Sequence, residues 1–264
     1  MIDLEKMTLD VCGIARAAGE YLRNERKIFS QERVEQKNSH DYVSYVDKTA
    51  EKQIVDALKT LLPCAGFITE EGSAVYADEE FFWVIDPLDG TTNYIHGNPP
   101  YAVSIGLRKG DHILIGVVYE VCLDECFYAW RNGGAYMNGK PVSVTDNDID
   151  RALLCLELPY NYDKYGHTAH NLIRRFYGRA GGIRMNGSAA ISLCYIAAGR
   201  LDGWLEMYIN NWDFTAGALI VTEAGGKVTG FNGNENYLDG NNVVASNGVI
   251  HSELLCAVQE RLPD

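Results

Sequence analysis

The sequence predicts a mixed fold in which helices and strands alternate, α+β in its first half and α/β in its second. Three patterns carry this reading. Apolar residues recur at three- and four-residue steps near the amino terminus, short β-rich runs separated by turn signals fill 101–144, and helical and strand-like stretches alternate from there onward. The 264 residues suit one or two closely packed domains. With no internal repeat and no low-complexity linker, a boundary near Asp150 is expected to join two tightly packed halves, 1–150 and 151–264.

The elements follow in order. Leu4, Met7, Val11, Ile14, Ala18 and Leu22 mark an opening amphipathic helix. After a polar segment, Ser30–Asp41, the helical spacing returns at Ala50, Ile54, Ala57, Leu58 and Leu61 and stops at Pro63, with Asp47 placed as its cap. Two short apolar runs, Ala65–Thr69 and Phe81–Ile85, come next. Tyr101–Leu107, Ile113–Tyr119, Cys126–Trp130 and Val142–Val144 read as an antiparallel meander, punctuated by Gly110-Asp111, Asn132-Gly133 and Asn138-Gly139. Beyond Ala152–Leu158, helical stretches around Asn171–Tyr177, Ala189–Ala198 and Phe214–Ala224 alternate with strand-like Lys227–Phe231 and Asn242–Ala245. A last helix falls near Ile250–Arg261.

A net charge of −13 and the lack of any basic run of five or more argue against nucleic-acid binding. An acidic chain still binds a phosphorylated molecule when divalent cations stand between the two. No apolar stretch reaches the ~18 residues of a membrane span, and the amino terminus lacks the basic and apolar regions of a signal peptide. A cytoplasmic protein without a membrane anchor is expected. The seven cysteines include one close pair, Cys122 and Cys126, set in a strand-like pattern, and read as reduced thiols rather than a zinc site.

Between Glu70 and Leu107 the chain has no Lys or Arg, yet it carries Glu70, Glu71, Asp78, Glu79, Glu80, Asp86 and Asp89. Asp78, Glu79 and Glu80 read as a solvated acidic loop. Asp86 differs, because it follows Phe81-Phe82-Trp83-Val84-Ile85, a run apolar enough to be a buried strand that would hold the carboxylate on a rigid support. Pro87 fixes the backbone after it, Asp89 follows closely, and Gly90 permits a tight bend before Thr91-Thr92-Asn93. Asp-Pro-Leu-Asp-Gly is equally readable as a plain turn. Glu70, Asp86, Asp89 and the Leu88 carbonyl would form an all-oxygen site suited to Mg²⁺, and the amides of Gly90, Thr91 and Thr92 would open a short helix facing a phosphate. Asp213, ahead of the apolar run Phe214–Val221, reads as a helix N-cap or as a further ligand. Arg184-Met185-Asn186-Gly187-Ser188-Ala189-Ala190 reads as helix packing or as a surface of close approach to a ligand.

Two stretches resemble the signatures of the inositol monophosphatase family: Trp83–Tyr94, and Trp212–Ala218 with Glu223-Ala224-Gly225-Gly226. Asp41–Asp47, Glu70-Glu71-Gly72, His96–Pro99, Gly187–Ala190 and Gly199–Gly203 match in the same order, so the resemblance spans roughly residues 10–250. It implies a layered αβαβα sandwich of the sugar-phosphatase type, a homodimer, and Mg²⁺-dependent hydrolysis of a small phosphorylated polyol or sugar, myo-inositol monophosphate first. By the same resemblance, Glu70, Asp86, the Leu88 carbonyl, Asp89 and Asp213 hold two or three Mg²⁺ ions. Asp47, Thr91 and Glu70 are catalytic, and Gly90, Thr91, Thr92, Gly187, Ser188, Ala189 and Glu206 contact the substrate. Without the resemblance, Glu206 reads as a surface residue near a helix start. Fructose 1,6-bisphosphate, histidinol phosphate, 3′-phosphoadenosine 5′-phosphate, NADP and phosphoinositide headgroups are substrates of families that share this core. Thr92, where nucleotide phosphatases carry Lys, favours a polyol monophosphate. Glu157, where the family often has Gly, and Asn210-Asn211, without the frequent Pro, depart from the pattern. The reading from another class is a non-catalytic binding protein on the same fold.

Overall fold

The computed structural model describes residues 2–29, 34–38, 41–72, 79–159, 162–238 and 240–260, with the backbone alone described over 34–44. Asp78, expected in an acidic loop, and part of the Ser30–Asp41 segment lie outside the described residues. The chain opens with helix α1 (Leu4–Arg26), capped by Asp3, whose carboxylate accepts from the Lys6 amide at 3.1 Å. Arg23 and Arg26 sit in its last turn, where cations meet the negative end of the helix dipole. β1 (Val34–Asn38), inside the expected polar segment, pairs antiparallel with β2 (Asp41–Ser44), which begins at that segment's last residue. Helix α2 (Tyr45–Leu61) starts two residues before Asp47, so Asp47 is a fully buried member of its first turn rather than its cap.

The larger sheet has seven strands in the order β3 (Ala65–Thr69), β4 (Phe81–Asp89), β5 (Ala102–Lys109), β6 (His112–Glu120), β7 (Glu125–Trp130), β8 (Ala135–Met137) and β9 (Lys140–Pro141). Only β3 and β4 run parallel in it. Helix α3 (Thr91–His96) interrupts the order between β4 and β5. The strand expected at Val142–Val144 is instead an extended connection. Its amides go to Ala135 and Ala224, two different elements, and form no ladder.

The smaller sheet mixes β10 (Leu153–Glu157), β11 (Gly182–Arg184), β12 (Gly203–Met207), β13 (Lys227–Gly230) and β14 (Asn242–Ser246) in the order β11-β10-β12-β14-β13. Its helices are α4 (Tyr162–Phe176), α5 (Ala189–Ala197), α6 (Asn211–Glu223) and α7 (His251–Gln259). Helices α1 and α2 pack on one face of the large sheet. On its other face lie α5 and α6, which also meet the small sheet, and α4 and α7 cover that sheet's outer face. The result is five layers, αβαβα, with one hydrophobic core between α1 and α2 and the large sheet, a middle one around α5 and α6 between the two sheets, and a third under α4 and α7. The middle core draws on both 1–150 and 151–264, from Val118 and Phe127 to Trp204 and Phe214. No described helix is long and apolar enough to cross a membrane.

Two facing glycines set the distance between layers. Gly106 and Gly116 stand opposite each other on β5 and β6. A Cβ on Gly116 would lie 2.4 Å from the Ala216 carbonyl oxygen, and one on Gly106 would lie 2.9 Å from the Thr215 side chain. Their missing side chains let the start of α6 lie directly on the sheet.

Candidate active site

Strand β4 supplies two carboxylates to one place because its register slips. Asp86 pairs with Ser104 and Asp89 with Ala102, so three steps on β4 match two on β5. In a regular strand, residues three apart point to opposite faces; the extra residue turns Asp86 and Asp89 toward the same volume. Pro87 sits in this irregular stretch, where no ladder donor is needed. The next amide, Leu88, folds back to Asp86 Oδ1 at 2.9 Å. Parallel pairing with β3 places Glu70 beside Asp86, held by its amide on the Ile85 carbonyl at 3.3 Å.

Gly90 makes the bend that follows with φ 87°, a left-handed value natural to glycine. The chain then enters α3, whose first residues Thr91 and Thr92 are half-buried at the site. Thr91 Oγ1 lies 3.2 Å from Asp47 Oδ1 and 3.0 Å from the Leu88 carbonyl oxygen. A hydroxyl has one proton, so giving it to Asp47 frees the Leu88 carbonyl for another partner and leaves the Thr91 lone pairs available to an incoming donor.

The second half closes the site. Ser188, the N-cap of α5, donates to Asp89 Oδ2, and the Ala190 amide donates to the same oxygen at 2.9 Å. Asn93 on α3 donates to the Asn186 and Pro100 carbonyls, both at 2.8 Å, which ties the Gly187 turn to the first half. Asp213 is the third residue of α6; its Oδ2 accepts from the Asn210 amide at 3.0 Å, so Asn210, not Asp213, is the N-cap. Asp86, Asp89 and Asp213 each place a carboxylate oxygen within 4.8 Å of the others.

Such crowding is electrostatically unfavourable without a cation. Asp86 is raised well above the ordinary carboxylate range, by burial first and then by the charges of Glu70, Asp89 and Asp213. Asp213 is raised by burial and by Asp89 and Glu70. Asp89 is lifted by burial to about 6, although the Ser188 hydroxyl and the Ala190 and Ala189 amides pull it down. The charges acting most strongly on Asp86 and Asp213 are all carboxylates. A hard divalent cation with oxygen ligands fits this donor set.

Glu206 lies on β12, not near a helix start, opposite Glu157 of the parallel neighbour β10. Burial raises it well above the usual range, with further contributions from Glu157, Asp213 and Asp89. The structure thus brings Asp47, Glu70, Asp86, Leu88, Asp89, Gly90, Thr91, Thr92 and Asp213 together, with Gly187, Ser188 and Ala189 joined through Asp89 and Glu206 on the adjoining rim. Two further buried acids border the site, and sequence pattern alone does not mark them as site residues. Glu51, one turn after Asp47, accepts from the Glu71 amide at 2.7 Å, and Glu157 Oε1 accepts from the Asn186 and Gly187 amides at 2.8 and 2.9 Å. The four-residue step from Asp47 was a signal for the first; only the departure from the family pattern marked the second.

A model of the inositol monophosphatase family matches residues 3–263. The chain belongs to this family. It is 39% identical to the Nus factor SuhB of Salmonella typhimurium over 95% of this chain and 94% of that protein. It is 41% identical to the inositol-1-monophosphatase of Mesorhizobium japonicum over 86% of each. The crystal structure of the extragenic suppressor protein suhB from Bartonella henselae superposes with a TM-score of 0.89 at 35% identity, covering 95% of this chain and 97% of that one. The five layers seen here are those of inositol monophosphatase structures, and the acidic centre lies where β4 meets α6.

Proposed function

We propose that this member of the family is a Mg²⁺-dependent phosphomonoesterase that hydrolyses myo-inositol monophosphate to inositol and phosphate. The observation that carries the reading is the convergence of Asp86, Asp89 and Asp213 within 4.8 Å, next to the Thr91–Asp47 hydrogen bond. Glu70, Asp86, the Leu88 carbonyl, Asp89 and Asp213 would hold the ions, two or three in all. Bound Mg²⁺ supplies charge neutralisation on the phosphate and an acidified water. The Thr91 hydroxyl, which donates to Asp47, would accept from the attacking water, orient it and relay the water's proton toward Asp47. The first-turn amides of Thr91 and Thr92, unpaired within a helix that begins there, face the phosphate. Gly187, Ser188, Ala189 and Glu206 border the alcohol half. Phosphoryl transfer asks mainly for positioning and charge stabilisation, and no covalent phosphoenzyme is needed. Residues of 1–150 and of 151–264 both contribute, and a cytoplasmic homodimer belongs to the same reading.

The test is phosphate release from inositol 1-phosphate, fructose 1,6-bisphosphate, histidinol phosphate, 3′-phosphoadenosine 5′-phosphate and NADP, with magnesium and with chelator. Magnesium-dependent release from inositol 1-phosphate is expected to dominate. Dominant release from another member replaces the substrate and keeps the chemistry. The relatives named Nus factors favour a second reading, in which the chain acts through binding alone; it predicts no release from any member.

A further inference from the structure

We infer that Glu157 and Asn93 are positioning residues that clamp the Asn186–Gly187 turn from opposite sides and, through Ser188, fix Asp89 in the acidic centre. The inference rests on the phosphomonoesterase reading and concerns the same site.

The main-chain polar atoms of both turn residues go to side chains. Their amides donate to one oxygen, Glu157 Oε1, Asn186 at 2.8 Å and Gly187 at 2.9 Å. Their carbonyls accept from Asn93 Nδ2 of α3, at 2.8 Å for Asn186 and 3.4 Å for Gly187. Successive amides aimed at one point form a concavity suited to an anion, and the buried carboxylate of Glu157 fills it. Cys155 donates to the same oxygen at 3.3 Å and meets Ser192 at 3.4 Å, so this support is anchored in β10 and α5. Gly187 has φ 67°, and a Cβ there would lie 3.2 Å from the Asn93 side-chain amide, which shows how closely the two are packed. Gly at 157, which the family often has, has no side chain to reach the turn, so this half of the clamp is particular to the chain.

The next residues carry the effect to the site. Ser188 donates to Asp89 Oδ2, and the Ala190 amide donates to the same oxygen at 2.9 Å. Ser192 Oγ holds Ser188 from behind, donating to its carbonyl at 2.9 Å and accepting from the Asn186 side chain at 3.1 Å. A shift of the turn therefore moves both donors of Asp89 together. Asp89 ends β4, Asp213 rides on α6 and the donors on Asp89 belong to α5, so the clamp fixes a carboxylate of the first half to the second. Mg²⁺ demands near-ideal octahedral oxygen geometry, whereas the larger Ca²⁺ accepts looser ligand sets. Discrimination between the two ions thus reads how rigidly the carboxylates are held.

The experiment measures the dissociation constants of Mg²⁺ and Ca²⁺ by calorimetry on wild type, Glu157→Ala, Glu157→Gln and Asn93→Ala, with folding checked by circular dichroism. In Glu157→Ala the Ca²⁺-to-Mg²⁺ ratio of dissociation constants is expected to fall at least about fivefold, carried by weaker Mg²⁺ binding. Glu157→Gln keeps an acceptor for the two amides and removes the charge, and its ratio should stay within about twofold of wild type. A role confined to stability lowers the unfolding midpoint and leaves the ratio unmoved in every variant. A role of the charge alone weakens both ions alike in both Glu157 variants. Either result overturns the inference. Should Glu157→Ala fail to fold, an unmoved ratio in Asn93→Ala overturns it equally. A wild type that binds neither ion overturns the metal-dependent phosphomonoesterase reading, and the inference with it; a wild type that binds Mg²⁺, with ratios unmoved in the variants, overturns the inference alone.

Discussion

Replacing Asp89 by Asn separates the cost of the acidic centre from its use. The side-chain volume is kept, and the amide oxygen of Asn can still accept from Ser188 and the Ala190 amide while its NH₂ turns toward Asp86 and Asp213. Burial lifts the Asp89 carboxyl from 3.8 to about 6. Holding its charge at pH 7 without metal therefore costs about 3 kcal/mol. A carboxyl raised in the folded state adds stability below its unfolded value and loses it as pH rises through the folded one. The metal-free variant should thus be more stable than wild type at pH 7, by about 1–3 kcal/mol once coupling to Asp86 and Asp213 is allowed for, and the gain should shrink as pH falls toward 4. For a chain of this length that is a rise in Tm of roughly 2–10 °C. Magnesium should raise the wild-type Tm and leave that of the variant nearly unmoved, while phosphate release falls at least about 1000-fold. Thermal unfolding at pH 7 and pH 4.5, with magnesium and with chelator, reads all of this. A variant that is destabilised without metal, or that keeps both its magnesium shift and its activity, would refute the assignment.

Thr91→Ala removes the hydroxyl between Asp47 and Leu88; kcat should fall about 100- to 10,000-fold while the magnesium-induced Tm shift persists, measured by phosphate release and thermal unfolding. Gly116→Ala places a Cβ 2.4 Å from the Ala216 carbonyl, which must push α6 off the sheet. We expect a loss of about 1–3 kcal/mol in chemical denaturation and weaker magnesium binding by calorimetry, because Asp213 rides on that helix. His251 is buried between Thr229 Oγ1 and Ser246 Oγ at 3.0 and 2.9 Å, and burial, then Lys227, lowers it to about 4. Between pH 6.5 and 4 the unfolded chain takes up a proton that the folded one declines, so stability falls with pH. Wild type should lose about 2 kcal/mol more than His251→Gln between pH 7 and 4.5 by urea denaturation, and equal losses would exclude the effect.

What the sequence shows of this site is what depends on local chemistry. Phe81–Ile85 is legible as a buried strand, and Asp86 as the carboxylate at its polar end, because apolar runs and proline act on their neighbours. The slip that turns Asp89 to the same face as Asp86 is not legible, since it is decided by which residues of β5 lie opposite. The same holds for Glu206, whose strand exists only through pairing with β10 and β14, and for the Val142–Val144 run, whose two partners lie in different elements. Asp213 shows the intermediate case. Its helix was evident from Phe214 onward, but one more turn forms upstream, which moves the cap to Asn210 and makes Asp213 the side chain that reaches back. Asp47 was displaced from its expected cap position in the same way, by a helix that begins at Tyr45.

The three carboxylates at the centre share one arrangement. Asp86 gives one oxygen to the Leu88 amide, Asp89 one to Ser188 and the Ala190 amide, and Asp213 one to the Asn210 amide. Each is thereby fixed by a donor close in sequence or tied to it through the opposite half, while each places a carboxylate oxygen within 4.8 Å of the others. A cluster held only by a cation would relax apart without it; these acids are held from behind, at an energetic cost that the fold carries before any ion arrives. The proposed divalent cation would find its ligands already gathered, which favours its binding. It also explains why the donors are backbone amides and a serine rather than Lys or Arg. A dipole steadies a carboxylate without neutralising it, whereas a cationic side chain would occupy the place proposed for the metal.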